Sequence, residues 1–215
     1  MEKDRVVYPY ILEYMRKIRR GREGALGELE KKAREEDFPI SEPEMADLLD
    51  IICRLKKPER ILEIGTCIGF SALLMTDACP GVHIDTIERN PKMIKPAKEN
   101  FSKFNAGNIN LIEGSALDIL RTLDDRYDLI FIDAAKGQYP YFLPHCRRLL
   151  NTGGIMVADN VFFNGYVATG IPDVRRNRTI VNRLDEYMKE LQSYDEFHSV
   201  ILPISDGVTL SYKMK

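Results

Sequence analysis

The chain lacks the features that would make several functions easy to assign. Its four cysteines, Cys53, Cys67, Cys79 and Cys146, are scattered through 215 residues with no C-x-x-C pair, and none of the three histidines stands at zinc-ligand spacing to them. A structural zinc module is therefore excluded, and buried free thiols in a reducing compartment are expected. No stretch reaches the roughly 18 apolar residues of a membrane helix. The opening MEKDRVVYPY lacks the apolar core of a secretion signal, so the expectation is a cytoplasmic protein with no membrane partner. A formal net charge of -2 gives no global pull on nucleic acid or acidic lipid, and any polyanion must be met by a local patch. Repeats and low-complexity segments are absent too, and the length suits one core rather than two.

What is present divides into two textures. Residues 1–57 read as a helical extension packed on the same domain. Val7, Ile11, Tyr14, Met15 and Ile18 form the apolar face of a first helix, and Arg16, Lys17, Arg19, Arg20 and Arg22 its basic face. A further helix opens at SEPEMADLLDIICRL, where Ser41 and Glu44 have the spacing of a capping box. Residues 58–215 alternate short apolar runs (RILEIG, HIDTIE, INLIEG, YDLIFID, GIMVAD) with helical stretches. That pattern means parallel strands joined by right-handed helical crossovers, an α/β open sheet covered on both faces. Asn90 is placed to cap the helix that begins at Pro91, and Pro96 should kink that helix. The closing segment SVILPISDGVTLSYK reads as an antiparallel hairpin turning at Asp206-Gly207, and residues 165–178 as a long mobile loop.

In such sheets ligands bind beyond the carboxyl ends of the strands. Those exits carry Glu63, Glu88, Asp133 and Asp159. The first exit runs into a glycine turn, Gly65 and Gly69, before a helix that starts near Ser71; it lacks the G-x-G-x-x-G of a dinucleotide site, which argues against a nicotinamide oxidoreductase. Glu88 sits where an acid accepts ribose hydroxyls, so an adenosine ligand without phosphates fits, and Glu63 could orient a cationic part of it, as in S-adenosylmethionine. Asp133 and the pair Asp159-Asn160 should lie side by side as oxygen ligands for a hard cation such as Mg²⁺. Lys136 at the same edge could serve as a base. Singly, each of these residues is equally a strand-end cap, a turn former or a solvated charge.

Together the segments MADLL, ILEIGTCIGFSAL, IERNP, GSALD, YDLIFIDAAKGQY, GGIMVADNV and LPISDGVTLSYK resemble the divalent-cation-dependent O-methyltransferases of the catechol and caffeoyl-CoA type. Within that family, FIDAAKGQY and DNVFFNGYVA are most similar to the bacterial tRNA 5-hydroxyuridine methyltransferases. The resemblance implies a Rossmann-like methyltransferase fold with a seven-stranded, mostly parallel sheet, a C-terminal antiparallel hairpin and N-terminal helices. It implies S-adenosylmethionine as cofactor, beside Ser41, Glu63, Gly65, Ser71, Glu88, Ser115, Ala116 and Asp133. It implies Mg²⁺ on Asp133, Asp159 and Asn160, and Lys136 as the catalytic base next to Asp133. Ser115 departs from the family's Asp-Ala, which weakens a side-chain contact to the adenine amine. A homodimer is implied as well.

Two acceptors remain open. The anticodon region of tRNA is favoured by the resemblance, by seven basic against three acidic side chains in residues 1–22, by Arg175, Arg176 and Arg178, and by the aromatics of VFFNGY. A small catechol-like or hydroxycinnamoyl substrate would present the same pair of vicinal oxygens. A non-catalytic nucleoside- or RNA-binding scaffold is the third reading; the intact set of candidate ligands and lysine argues against it.

Overall fold

The computed structural model describes residues 6–215, so Lys3 and Arg5 of the basic N-terminal stretch lie outside the described residues. Seven strands form one sheet: β1 (Arg60–Ile64), β2 (His83–Glu88), β3 (Ile109–Glu113), β4 (Tyr127–Ile132), β5 (Leu150–Ala158), β6 (Phe197–Leu202) and β7 (Val208–Lys213), in the order β3-β2-β1-β4-β5-β7-β6. The first five run parallel, and β7 pairs antiparallel with both β5 and β6. Period-two alternation splits the sheet's side chains between two cores. Ile61, Leu129, Phe131 and Val157 pack with α3 (Pro43–Lys56), α4 (Phe70–Ala78) and α5 (Pro91–Lys103). Leu62, Ile64, Ile130, Ile132 and Met156 pack on the other face with α6 (Ala116–Thr122), α7 (Tyr139–Leu149) and α9 (Arg178–Ser193). Burial on both faces is why these strands read as near-continuous apolar runs.

The register sets the site. Ile64 pairs with Ile87 and with Ile132, and Ile132 with Ala158. The residues that follow, Gly65, Glu88, Asp133 and Asp159, therefore leave the sheet in one row. Asn90 caps α5 by accepting from Lys92 N at 3.1 Å, and that helix continues across Pro96. All four cysteines are free thiols. Among the described residues no helix is long and apolar enough to cross a membrane.

Three expectations are corrected. Glu42, not Ser41, occupies the N-cap of α3, with no side-chain cap bond. Pro43 opens the helix, and Glu44 is drawn away by Arg16, whose Nε donates to it at 2.7 Å. Residues 165–178 are not one irregular loop: they hold the short helix α8 (Tyr166–Thr169) and a 3₁₀ turn, Arg175–Asn177. The first helix, α1 (Pro9–Ile18), does not bury its expected apolar face. Ile11, Tyr14, Met15 and Ile18 stay exposed, as do Arg16, Lys17 and Arg20, while Arg19 and Arg22 are half-buried. Arg16 pairs with Glu42 and Glu44, and Arg19 and Arg22 each pair with both Glu30 and Asp47, so acids of α3 and α2 (Gly24–Glu35) neutralise much of the charge that the sequence offered to a polyanion.

Candidate active site

A cavity of about 360 Å³ opens above the exits of β1, β2 and β4. Its floor is the glycine turn. Gly65 has φ +108°, and a Cβ there would stand 2.0 Å from the Asp133 carbonyl oxygen, so only glycine lets β1 and β4 approach so closely. Gly65 N donates to Ile87 O (3.0 Å) and Asp133 N to Ile64 O (2.9 Å), extending the ladder one residue past the strands.

Glu88 lies on the cavity wall. Its carboxylate accepts three backbone N–H bonds, from Cys67 (3.0 Å), Arg89 (2.9 Å) and Asn90 (2.8 Å). They fix it in place and use a turn that the sequence did not reveal as a cradle. Ser41, Gly65, Ser71, Ala116, Asp133 and Lys136 line the same cavity. Ser115 does not; its neighbours Gly114 and Ala116 do. Ser115 holds the N-cap position of α6, with its carbonyl accepting from Asp118 N (3.1 Å) and Ile119 N (3.0 Å).

Glu63 is placed otherwise than its strand-end position suggested. It is fully buried beneath the cavity and absent from its lining, accepting hydrogen bonds from the hydroxyls of Ser71 and Thr86. Thr86 is its register partner on β2. Burial pushes the Glu63 carboxyl up to about 8, with Asp133 and Glu88 adding to the rise. The folded chain thus holds a proton that the unfolded chain releases near the ordinary value of 4.5. The stability this contributes is complete at acid pH and is lost as pH rises toward 8. Glu63→Gln should flatten that dependence: from about pH 5 to pH 8 the melting temperature of the wild type should fall relative to the variant, each unit of pKa difference being worth about 1.4 kcal/mol. Parallel profiles would refute a protonated Glu63.

Asp133 and Asp159 end adjacent strands, and Asp159 N donates to Ile132 O at 3.0 Å. Asp159 is 1% exposed, and its Oδ1 accepts from Asn160 N at 2.7 Å. Burial and then repulsion from Asp133 push its carboxyl up to about 8. Asn160 follows with φ 58°, in the left-handed region that asparagine tolerates. Lys136 Nζ stands 3.3 Å from Asp133 Oδ1. The buried Tyr139 hydroxyl, which sequence reasoning passed over, lies 3.2 Å from Ile132 O and 2.9 Å from Asp159 O and ties the two strand ends together. Arg183 of α9 donates to Gly137 O at 3.0 Å, bracing the turn that carries Lys136. Among the described residues no three His, Cys, Asp or Glu side chains converge as a metal cluster. Two carboxylates and the Asn160 amide are a set of another kind, all oxygen donors, and the mutual repulsion within it is what a hard cation relieves.

A second cavity, about 340 Å³, lies at Asn160, just past the end of β5, and its described lining comes from the segment of Val6 and Val7, α1, Glu42, Glu44, Asn164 and the turn between β6 and β7. Arg175, Arg176 and Arg178 are exposed and line neither cavity.

A family model described as O-methyltransferase matches residues 23–214. The chain belongs to this O-methyltransferase family. The O-methyltransferase ankF of Aspergillus thermomutatus is 30% identical over 182 residues, 78% of this chain and 76% of its own. The catechol O-methyltransferase of Niastella koreensis is 33% identical over 131 residues, 58% of this chain and 59% of its own. Among solved structures, the SAH-bound methyltransferase PaMTH1 of Podospora anserina superposes with a TM-score of 0.86 at 31% identity, covering 96% of this chain and 94% of that one. An O-methyltransferase must bring a methyl donor and an acceptor oxygen into line, and the two cavities open at neighbouring strand ends, one at Asp133 after β4 and the other at Asn160 after β5.

Proposed function

We propose that the chain transfers the methyl group of S-adenosylmethionine to the 5-hydroxyl of 5-hydroxyuridine in the anticodon region of tRNA, at the wobble position, giving 5-methoxyuridine. The observation that carries the donor half is the fixed Glu88 carboxylate in a cavity with no phosphate-binding glycine motif. It suits ribose hydroxyls and a ligand without phosphates, and relatives solved with SAH or SAM support it.

In this reading Glu88 anchors the ribose, Gly65 lets the donor lie against backbone, and Ser71 and Ser41 border its methionine end. Asp133, Asp159 and Asn160 would hold Mg²⁺, which when bound lowers the pKa of an acceptor hydroxyl and fixes two vicinal oxygens. Lys136, as the ammonium paired with Asp133, would orient the acceptor oxygen, and only its neutral form could take up the acceptor's proton. The C–S bond of the sulfonium breaks as the O–CH₃ bond forms, and the electron pair of the broken bond stays on the departing thioether. Positioning alone can supply about 7 to 11 kcal/mol in well-oriented systems, so holding donor and acceptor in line is the chain's main contribution.

For the acceptor, the supporting features are the FIDAAKGQY and DNVFFNGYVA segments together with Arg175, Arg176 and Arg178. These three are exposed and, unlike Arg16, Arg19 and Arg22, form no ion pair among the described residues. If two or three of them meet phosphates, affinity for tRNA should fall roughly 10- to 40-fold between about 50 and 200 mM salt. Substituting Arg175 and Arg176 together by alanine should shrink that slope. Labelled methyl transfer to 5-hydroxyuridine tRNA beside a simple catechol checks both points; equal losses on the two acceptors would count against the patch. A small catechol-like acceptor is the second reading, favoured by the Niastella koreensis relative and by the neutralised basic face of α1. The proposal places the enzyme in the cytoplasm as a homodimer, with the exposed apolar side of α1 as a contact surface.

A further inference from the structure

The cavity at Asn160 holds two polar groups that the reaction described above does not use. Ser205 Oγ is buried and has no hydrogen-bond partner among the described residues. Beside it, Asp206 commits one carboxylate oxygen, Oδ1, to Asn164 N at 2.6 Å. Both residues line the cavity together with Asn160 and Asn164.

Their position relative to the strand ends is rigidly set. Val161 N donates to Gly207 O at 3.0 Å and Phe162 N to Asp206 O at 2.9 Å. Gly207, at φ +85°, has no room for a Cβ, which would stand 2.3 Å from the Phe162 ring. The turn between β6 and β7 is thereby clasped to the segment that begins at Asn160. Among the described residues of the lining, Arg16 is the one guanidinium and already pairs with Glu42 (2.8 Å) and Glu44 (2.7 Å), so that carboxylates outnumber cations among them.

A buried hydroxyl without a protein partner is disfavoured in a folded protein unless an ordered water or a ligand completes it. A hydroxyl donor next to an acceptor-only carboxylate matches an N–H beside a C=O, the imide edge of a uracil ring. A catechol presents a donor beside an acceptor only at its two vicinal oxygens, the pair that the proposed cation would take. We propose that Ser205 and Asp206 form a subsite that reads this edge, Asp206 accepting the ring N3–H and Ser205 donating to a carbonyl next to it. They then select a neutral uracil-type acceptor over a catechol. The proposal rests on the tRNA reading above and deepens it.

The test uses anticodon stem-loop RNA carrying either 5-hydroxyuridine or its N3-methyl derivative, with kcat/KM measured on the full chain and S-adenosylmethionine binding as the check of folding. The wild type should lose roughly 10- to 100-fold on the N3-methyl RNA. Asp206→Asn, which keeps an oxygen for Asn164 N but can set an amide donor against N3–H, should lose a similar factor on the parent RNA and no longer discriminate between the two. Ser205→Ala should lose less, with the change in KM. Equal wild-type rates on both RNAs, or full activity of Asp206→Asn on the parent, would overturn the subsite while leaving the tRNA reading intact. Methylation of a catechol with none on any 5-hydroxyuridine RNA would overturn both.

Discussion

Asp159→Ala should abolish methyl transfer while leaving S-adenosylmethionine binding close to that of the wild type. Asp159 is absent from the lining of the donor cavity, so its removal takes nothing from the donor and affinity should change by less than about threefold. What it removes is the buried one of the two carboxylates in the proposed Mg²⁺ set. Charge stabilisation by such an ion is worth several kcal/mol, so the rate should fall by about 10³-fold or more. Stability should move the other way. The carboxyl is pushed up to about 8 by burial and by Asp133, so in metal-free solution above neutral pH the wild type carries an unfavourable charge that alanine lacks. The variant should therefore melt no lower than the wild type in chelator at such pH. Near-normal turnover, or a variant that binds no cofactor, would refute the assignment.

A comparable loss is expected from a change that touches no charge. Gly65→Ala places a methyl 2.0 Å from the Asp133 carbonyl oxygen at φ +108°, and both obstacles are backbone, so nothing flexible can yield. Strain of this kind costs about 1 to 3 kcal/mol before the clash is counted. A drop in melting temperature of roughly 5 to 10 °C follows for a chain of this size, with cofactor affinity reduced by about 10²-fold as the floor of the cavity and Asp133 separate. Gly107→Ala is the matched control, because nothing lies within 4 Å of its added methyl and no positive φ is involved. It should melt within about 1 °C of the wild type. If Gly65→Ala behaved like Gly107→Ala in melting and binding, the close approach of β1 and β4 would carry no functional weight.

The strands and the row of residues at their ends were legible because doubly buried strands give unbroken apolar runs, and a parallel sheet places every strand exit on one edge. The cap at Asn90 and the hairpin were legible for a local reason: each depends on residues only a few positions apart. The glycine turn was legible from its spacing, whereas the demand for glycine at Gly65 comes from the distant Asp133 carbonyl. The failures involve partners far apart in sequence. Arg16 takes Glu44 across 28 positions, which undoes the capping box that Ser41 and Glu44 advertised and ties part of the N-terminal segment's basic charge to acids of the helical extension. Glu63 read as an acid facing the cationic part of a ligand, whereas the fold buries it under Ser71 and Thr86. Tyr139 and Asp206 gave no signal beyond membership in a motif or a turn, because their value lies in strand ends and loops brought to them by the fold.

The order of the strands bears on how the enzyme is made. β7 enters between β5 and β6 although it follows both in sequence, and the turn before it supplies the acceptors for Val161 N and Phe162 N. During synthesis Asp159 and Asn160 emerge well before the strand that braces them. Because a domain folds as a unit, the row of strand ends that carries Glu88, Asp133 and Asp159 waits for translation to deliver the closing hairpin.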